Sequence, residues 1–89
     1  MSFAPAFAPD AESEWRALDF ELQELVLDEV DRLAGNPPPT PRGTILHDLV
    51  HDEAGVRHYV FLRLVVDRSG GTITVIGVVH YARPIQGGT

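Results

Sequence analysis

Residues 56–83 read VRHYVFLRLVVDRSGGTITVIGVVHYAR, two long runs of branched and aromatic residues on either side of RSGG. Such runs favour extended backbone, and the intervening composition favours a turn, so the stretch predicts two antiparallel strands, 56–67 and 72–83. Strand side chains alternate between faces, which tests the pairing. The even positions of the first run are Val60, Leu62, Leu64 and Val66, and the odd ones include Arg57, Tyr59, Phe61 and Arg63. With RSGG as a four-residue loop, Asp67 pairs with Thr72, and the second run adds Ile73, Val75, Gly77 and Val79 to the even side. One face is then wholly apolar. The other collects Arg57, Tyr59, Arg63, Thr74 and His80 around Phe61, Ile76 and Val78. Because a slip of one residue exchanges the faces, the clean partition supports this register.

Working towards the N-terminus, GTILHDLV (43–50) predicts a third strand, with HDEAG as its loop. That loop pairs Val50 with Val56 and sets His47 opposite Tyr59, which faces His80. Residues 10–17 and 20–34 predict two helices. Leu22, Val26, Val30 and Leu33 recur at helical spacing along the second, widened by Leu18, Leu25 and Leu27. Gly35 and the prolines of AGNPPPTPRG stop it. Phe3 to Phe7 can add a short strand, which Pro5 confines to a sheet edge. The expected fold is α+β: two N-terminal helices packed on one face of a three- to four-stranded antiparallel sheet, in one domain spanning 1–89.

Composition narrows the function. No cysteine occurs, which excludes thiol catalysis, thiolate metal sites and disulfides, and fits a reducing cytoplasm. The opening MSFAPAFAPD has no basic segment ahead of its apolar residues and does not read as a secretory signal. No apolar run approaches the roughly 20 residues that span a bilayer, so neither a membrane partner nor a membrane location is expected. Net charge is −6, and all seven cationic side chains are arginine. Nine acids lie between Asp10 and Arg32 against two arginines, whereas the remainder from Leu33 is nearly neutral. Tight binding to free nucleic acid needs clustered cations and is not expected. Along the second helix Glu21, Glu24, Asp28 and Asp31 form an acidic stripe, either a solvated face or a dock for a basic partner.

The predicted uncovered face carries the candidate chemistry. Histidine and tyrosine beside arginines supply acid, base and phosphate clamp for phosphodiester cleavage. The alternative is a half-buried sheet face covered by a partner. His47, His51, His58 and His80 contain metal donors, but two histidines four apart on a strand do not converge, so no metal and no cofactor is expected.

The order of these segments resembles the RelE/ParE superfamily, the toxins of bacterial type II toxin–antitoxin modules. AFAPDAESEWRALDFELQELVLDEVDRLAGNP is similar to its opening strand and helices, HYVFLRLVVD to its middle strand, and VIGVVHYARP to the closing strand of the ParE-like branch. The resemblance implies a cytoplasmic toxin, inhibiting gyrase or translation, neutralised by a cognate antitoxin. Its alternatives are a non-toxic binding module with the same fold and a ribosome-dependent mRNA endonuclease. In the nuclease branch, the middle-strand arginine position falls on Tyr59, with Arg63 its neighbour, and the closing-strand arginine position falls on Tyr81. The lysine cluster and terminal tyrosine have no counterpart. The gyrase-directed branch is matched through His80, Ala82 and Arg83, with Pro84 in place of an aspartate. Catalytic roles are therefore expected of Arg63, His80, Tyr59 and Arg83, and partner contacts of Arg57, Phe61, Ile76, Val78 and His47.

Overall fold

The computed structural model describes residues 3–39 and 42–86. In chain order it has β1 (Ala4–Phe7), α1 (Pro9–Arg16), α2 (Phe20–Gly35), β2 (Arg42–Glu53), β3 (Val56–Asp67) and β4 (Thr72–Pro84). They form an α+β arrangement of two helices on one face of a four-stranded sheet in the order β1-β4-β3-β2. The sheet is mixed rather than wholly antiparallel, because β1 runs parallel to β4 while the other pairs are antiparallel. A helical excursion between β1 and the later strands permits that parallel pairing. Pro5 sits on this edge strand, where its missing N–H leaves no gap in an inner ladder.

Local chemistry accounts for the helices. Pro9 occupies the first turn of α1, where no N–H partner is needed, with Asp10 and Glu12 at the positive end of the helix. The corner after α1 is tied reciprocally: Trp15 Nε1 donates to the Gln23 carbonyl at 3.0 Å, and Gln23 Nε2 donates to the Arg16 carbonyl at 3.0 Å. Leu22, Val26, Val30 and Leu33 of α2 are all buried, as their spacing predicts. They meet Val60, Leu62, Leu64 and Val66 of β3 and Ile73 and Val75 of β4, none more than 1 % exposed, in one core.

Two local events set the registers and overturn part of the expected face assignment. At the β2–β3 connection the turn is only Ala54–Gly55, flanked by the pair Glu53↔Val56. Both turn residues have positive φ, 51° and 76°, the conformation that matches a two-residue turn to the twist of its strands. The five-residue loop expected from HDEAG is thus absorbed into longer strands. Pairing moves by three positions, an odd number, so β2 shows the opposite face: His47 lies opposite Leu62 on the helix side, and not opposite Tyr59.

In β4 the expected pairing Asp67↔Thr72 holds as far as Leu64↔Val75, after which Arg63 pairs with Gly77. Ile76 is the extra residue of a β-bulge, and everything beyond it changes face. Val78 is therefore a core residue, 4 % exposed, rather than part of the open face. His80 pairs with Val60 and points to the helix side, away from Arg63 and Tyr59, contrary to expectation. Glu14 of α1 consolidates this change by accepting a hydrogen bond from the Val78 N–H at 2.9 Å, on the β4 edge past the end of β1.

The strained member of the hairpin turn is Ala54, the one non-glycine residue with positive φ among the described residues. An alanine there costs roughly 1 kcal/mol relative to a residue tolerant of the left-handed region. Ala54→Asn should stabilise the protein by about 0.5–1 kcal/mol, read as a higher midpoint in urea unfolding at unchanged slope.

Candidate functional site

The face without helices is built by alternation from three strands. β3 presents Arg57, Tyr59, Phe61 and Arg63; β2 presents Leu46, Asp48, Val50 and Asp52 opposite them; β4 presents Val79, Tyr81 and Arg83 after its bulge. Three rings form its centre. Tyr81 stacks on Tyr59 at 5.2 Å and on Phe61 at 5.7 Å between centroids. Around them Leu46 is 73 % exposed, Val79 57 % and Val50 55 %, so a contiguous apolar patch faces outward. A patch of rings and aliphatic side chains, rimmed by guanidinium groups, is the composition of a recognition surface rather than of an ordinary solvated sheet.

The arginines are not equivalent. Arg57 donates twice to Asp52 across the β2–β3 pair, at 2.8 and 3.0 Å. This pairing raises the guanidinium pKa and holds the Asp52 carboxyl below its usual range, so the charge of Arg57 is largely spent. Arg83 lies directly opposite Arg57, a like-charge placement that favours an anion between or beside them. An open groove of about 610 Å³ runs there, lined by Arg57, Tyr59, Arg83, Pro84, Ile85 and Gln86. Ile85 is held at its edge by its N–H, which donates to the Gly55 carbonyl at 2.9 Å. A second groove of about 350 Å³ lies at the bulge, between Arg63, Phe61, Leu46 and Ile76 on the sheet and Asp10 and Glu14 on α1. Neither Arg63 nor Arg83 has an ion pair among the described residues.

Of the residues expected here, Arg57, Tyr59, Phe61, Arg63 and Arg83 share the open face, and Ile76 borders it at the bulge. Val78, His80 and His47 do not. His47 Nε2 is bonded to the Glu29 carboxylate, which also receives a two-pronged contact from Arg32 at 2.6 and 2.9 Å. That half-buried cluster joins α2 to β2, a structural position. His80 instead lies against His58, with ring centroids 5.2 Å apart. Sequence reading missed Tyr81, Val79 and Leu46 as members of the open face. The available signal was Gly77, since a glycine inside a strand often marks a bulge.

What this face can do follows from its groups. Arginine forks bind phosphate or carboxylate oxygens, and exposed rings stack with nucleobases or pack on apolar side chains. With His80 and His47 on the other side, no imidazole is present to move a proton at this face.

A helix pair laid across a mixed sheet of this strand order is the architecture of RelE, and the chain has the RelE fold. It is similar over 88 % of its length to 82 % of a double arginine-to-alanine variant of the E. coli toxin RelE in the free state, with TM-score 0.66 and 20 % identity. The intact E. coli RelBE toxin–antitoxin complex matches with TM-score 0.62 and 19 % identity, covering 86 % of this chain and 94 % of the other. The archaeal RelE–RelB complex from Pyrococcus horikoshii OT3 matches with TM-score 0.59 and 14 % identity, covering 96 % and 97 %. Neither a protein-family model nor a curated protein sequence matches the chain.

The Glu29 cluster has a pH signature. The Arg32 hydrogen bonds, with help from His47, hold the Glu29 carboxyl at about 2, down from an ordinary 4.5. A depressed folded-state pKa contributes stability that is complete above the unfolded value and fades as pH falls from about 4.5 towards 2. Glu29→Gln should therefore cost about 1–2 kcal/mol at neutral pH. The difference from the parent should vanish in thermal melts recorded near pH 2.

Proposed function

We propose that this protein is the toxin of a type II toxin–antitoxin module, inhibiting translation through its uncovered sheet face and silenced by an antitoxin. The observation that carries the reading is the extent of the RelE likeness, helices and sheet together, in RelE free and in complex with RelB. The composition of the face supports it. A stack of Tyr59, Phe61 and Tyr81 offers planes to unstacked bases, while Arg63 and Arg83 offer cations to phosphates.

Overall charge is consistent with action on an already assembled target. At −6 the chain has weak attraction for free RNA, so its access to RNA is best explained by docking on a ribosome, where other groups hold the RNA in place. The antitoxin, in this reading, covers the apolar patch of Leu46, Val50 and Val79, whose exposure in a lone chain is otherwise unfavourable. The alternative from the closing-strand resemblance, gyrase, is disfavoured because His80, one of the residues that carry it, lies on the opposite surface.

Induced expression in a bacterium should arrest growth and stop amino-acid incorporation before DNA synthesis falls. Arg63→Ala and Tyr81→Ala should each raise the dose for half-inhibition of a cell-free translation extract by roughly tenfold, the equivalent of about 1.4 kcal/mol of lost binding. Inhibition of supercoiling with translation intact would assign gyrase instead, and unimpaired growth with unimpaired translation would leave a binding module that shares the fold.

A further inference from the structure

Groups that the proposed function does not use gather on the helix side, at the end of the sheet near the Ala54–Gly55 turn. Glu21 in the first turn of α2 and His51 and Glu53 at the end of β2 bring one donor atom each to within 4.8 Å of one another. His58 lies directly across from His51 in the β2–β3 ladder, with ring centroids 6.4 Å apart. Its Nδ1 is 3.0 Å from His80 Nε2. Three imidazoles and two carboxylates thus meet at one corner, drawn from α2, β2, β3 and β4.

Two features of this corner are unexplained by folding alone. The His51 Nε2 atom is sealed from solvent, yet it has no hydrogen-bond partner among the described residues. It lies 3.5 Å from Glu21 Oε2, long for a hydrogen bond but close to the edge of a tetrahedron of donors around zinc, about 3.3 Å when each bond is near 2.0 Å. Secondly, Glu21 and Glu53 converge on this corner from different elements, their carboxylate oxygens lying within 4.8 Å of each other and of a His51 ring nitrogen. Two negative groups this close repel each other, and a cation held between them removes that repulsion.

We propose that Glu21, His51 and Glu53 form a binding site for a divalent transition metal of the zinc class, which staples the first turn of α2 to the tip of the β2–β3 hairpin. The imidazole donor distinguishes such an ion from magnesium or calcium, which prefer all-oxygen sets. Three protein donors leave a fourth position for water or a further ligand. Spacing along one strand does not reveal the site, because its third donor comes from the helix laid across it.

Metal binding to the folded chain stabilises it by mass action, so thermal stability reports occupancy independently of any toxicity. Zinc chloride titrated into the full chain should give one calorimetric site per chain. Free zinc at a hundredfold excess over its Kd should raise the melting temperature by on the order of 10 °C, and equimolar magnesium should not. Glu53→Gln and His51→Asn, both at partly exposed positions beside a turn, should each weaken zinc at least tenfold while leaving the metal-free circular dichroism spectrum unchanged. His80→Asn should shift zinc affinity less than twofold. The inference fails if zinc produces neither heat nor a melting shift, or if binding survives Glu53→Gln combined with His51→Asn. It fails equally if His80→Asn abolishes binding while those two substitutions do not, which would move the ion to the His58–His80 pair.

Discussion

A strand can change the face it shows its neighbours only by gaining or losing a residue in its ladder, and the whole molecule is arranged around one such gain in β4. Up to Val75 the strand feeds the core through Ile73 and Val75; past Ile76 it does so through Val78. Without the extra residue the core positions would continue as Gly77 and Val79, leaving a glycine where a buried side chain is needed. The bulge therefore keeps the apolar layer under the helices continuous and, in the same step, sends Val79, Tyr81 and Arg83 outward. Glu14 secures the switch by capping the Val78 N–H, which β1 is too short to reach. Core continuity and the composition of the open face are thus two results of one backbone irregularity.

The strands also outrun the helices. β3 has 12 residues, about 40 Å of extended chain, whereas the 16 residues of α2 cover about 24 Å. The long strands give the molecule an elongated shape, with extents of 51 × 25 × 17 Å. At the end nearest the Ala54–Gly55 turn, His58 and His80 on one side and Arg57, Tyr59 and Arg83 on the other lie outside the buried core, while His51 stays beside Glu21 of α2. Burial follows the same gradient along β4, from the buried Ile73 to the exposed run His80–Pro84.

Legibility from the sequence tracked how locally each feature is determined. The helices, the strand at residues 56–67 and the pairing Asp67↔Thr72 were readable, since each depends on periodicity or turn chemistry within a few residues. Four of the five core positions of α2, all but Ala34, and the four of β3 were readable for the same reason. The faces of β2 and of distal β4 were not, because they depend on the parity of a single turn and a single bulge. Ala-Gly is an unusual filling for a turn that wants positive φ at both residues, so Ala54–Gly55 did not announce itself as Asn-Gly would have. Arg57, Tyr59, Phe61 and Arg63 kept their places through these shifts because all four belong to β3, whose register both neighbours share, while Arg83 faces outward only because of the bulge in β4. His80 and His47 were lost because they belong to the strands that slipped.

The resulting division of chemistry between two surfaces constrains what either can do. Histidine is the side chain whose ordinary pKa lies near neutrality, and three of the four histidines gather at the carboxylate corner on the helix side, with His47 elsewhere in that layer bonded to Glu29. The open face has permanent cations, aromatic rings and the carboxylates of Asp48 and Asp52, one of them already held by Arg57. A backbone layer lies between the two sets, so an imidazole cannot deliver a proton to anything bound against Tyr81 or Arg63. Under the proposed function, then, the protein's contribution at an RNA is to stack bases and to hold phosphate charge. Both rest on positioning by a rigid sheet rather than on a histidine base.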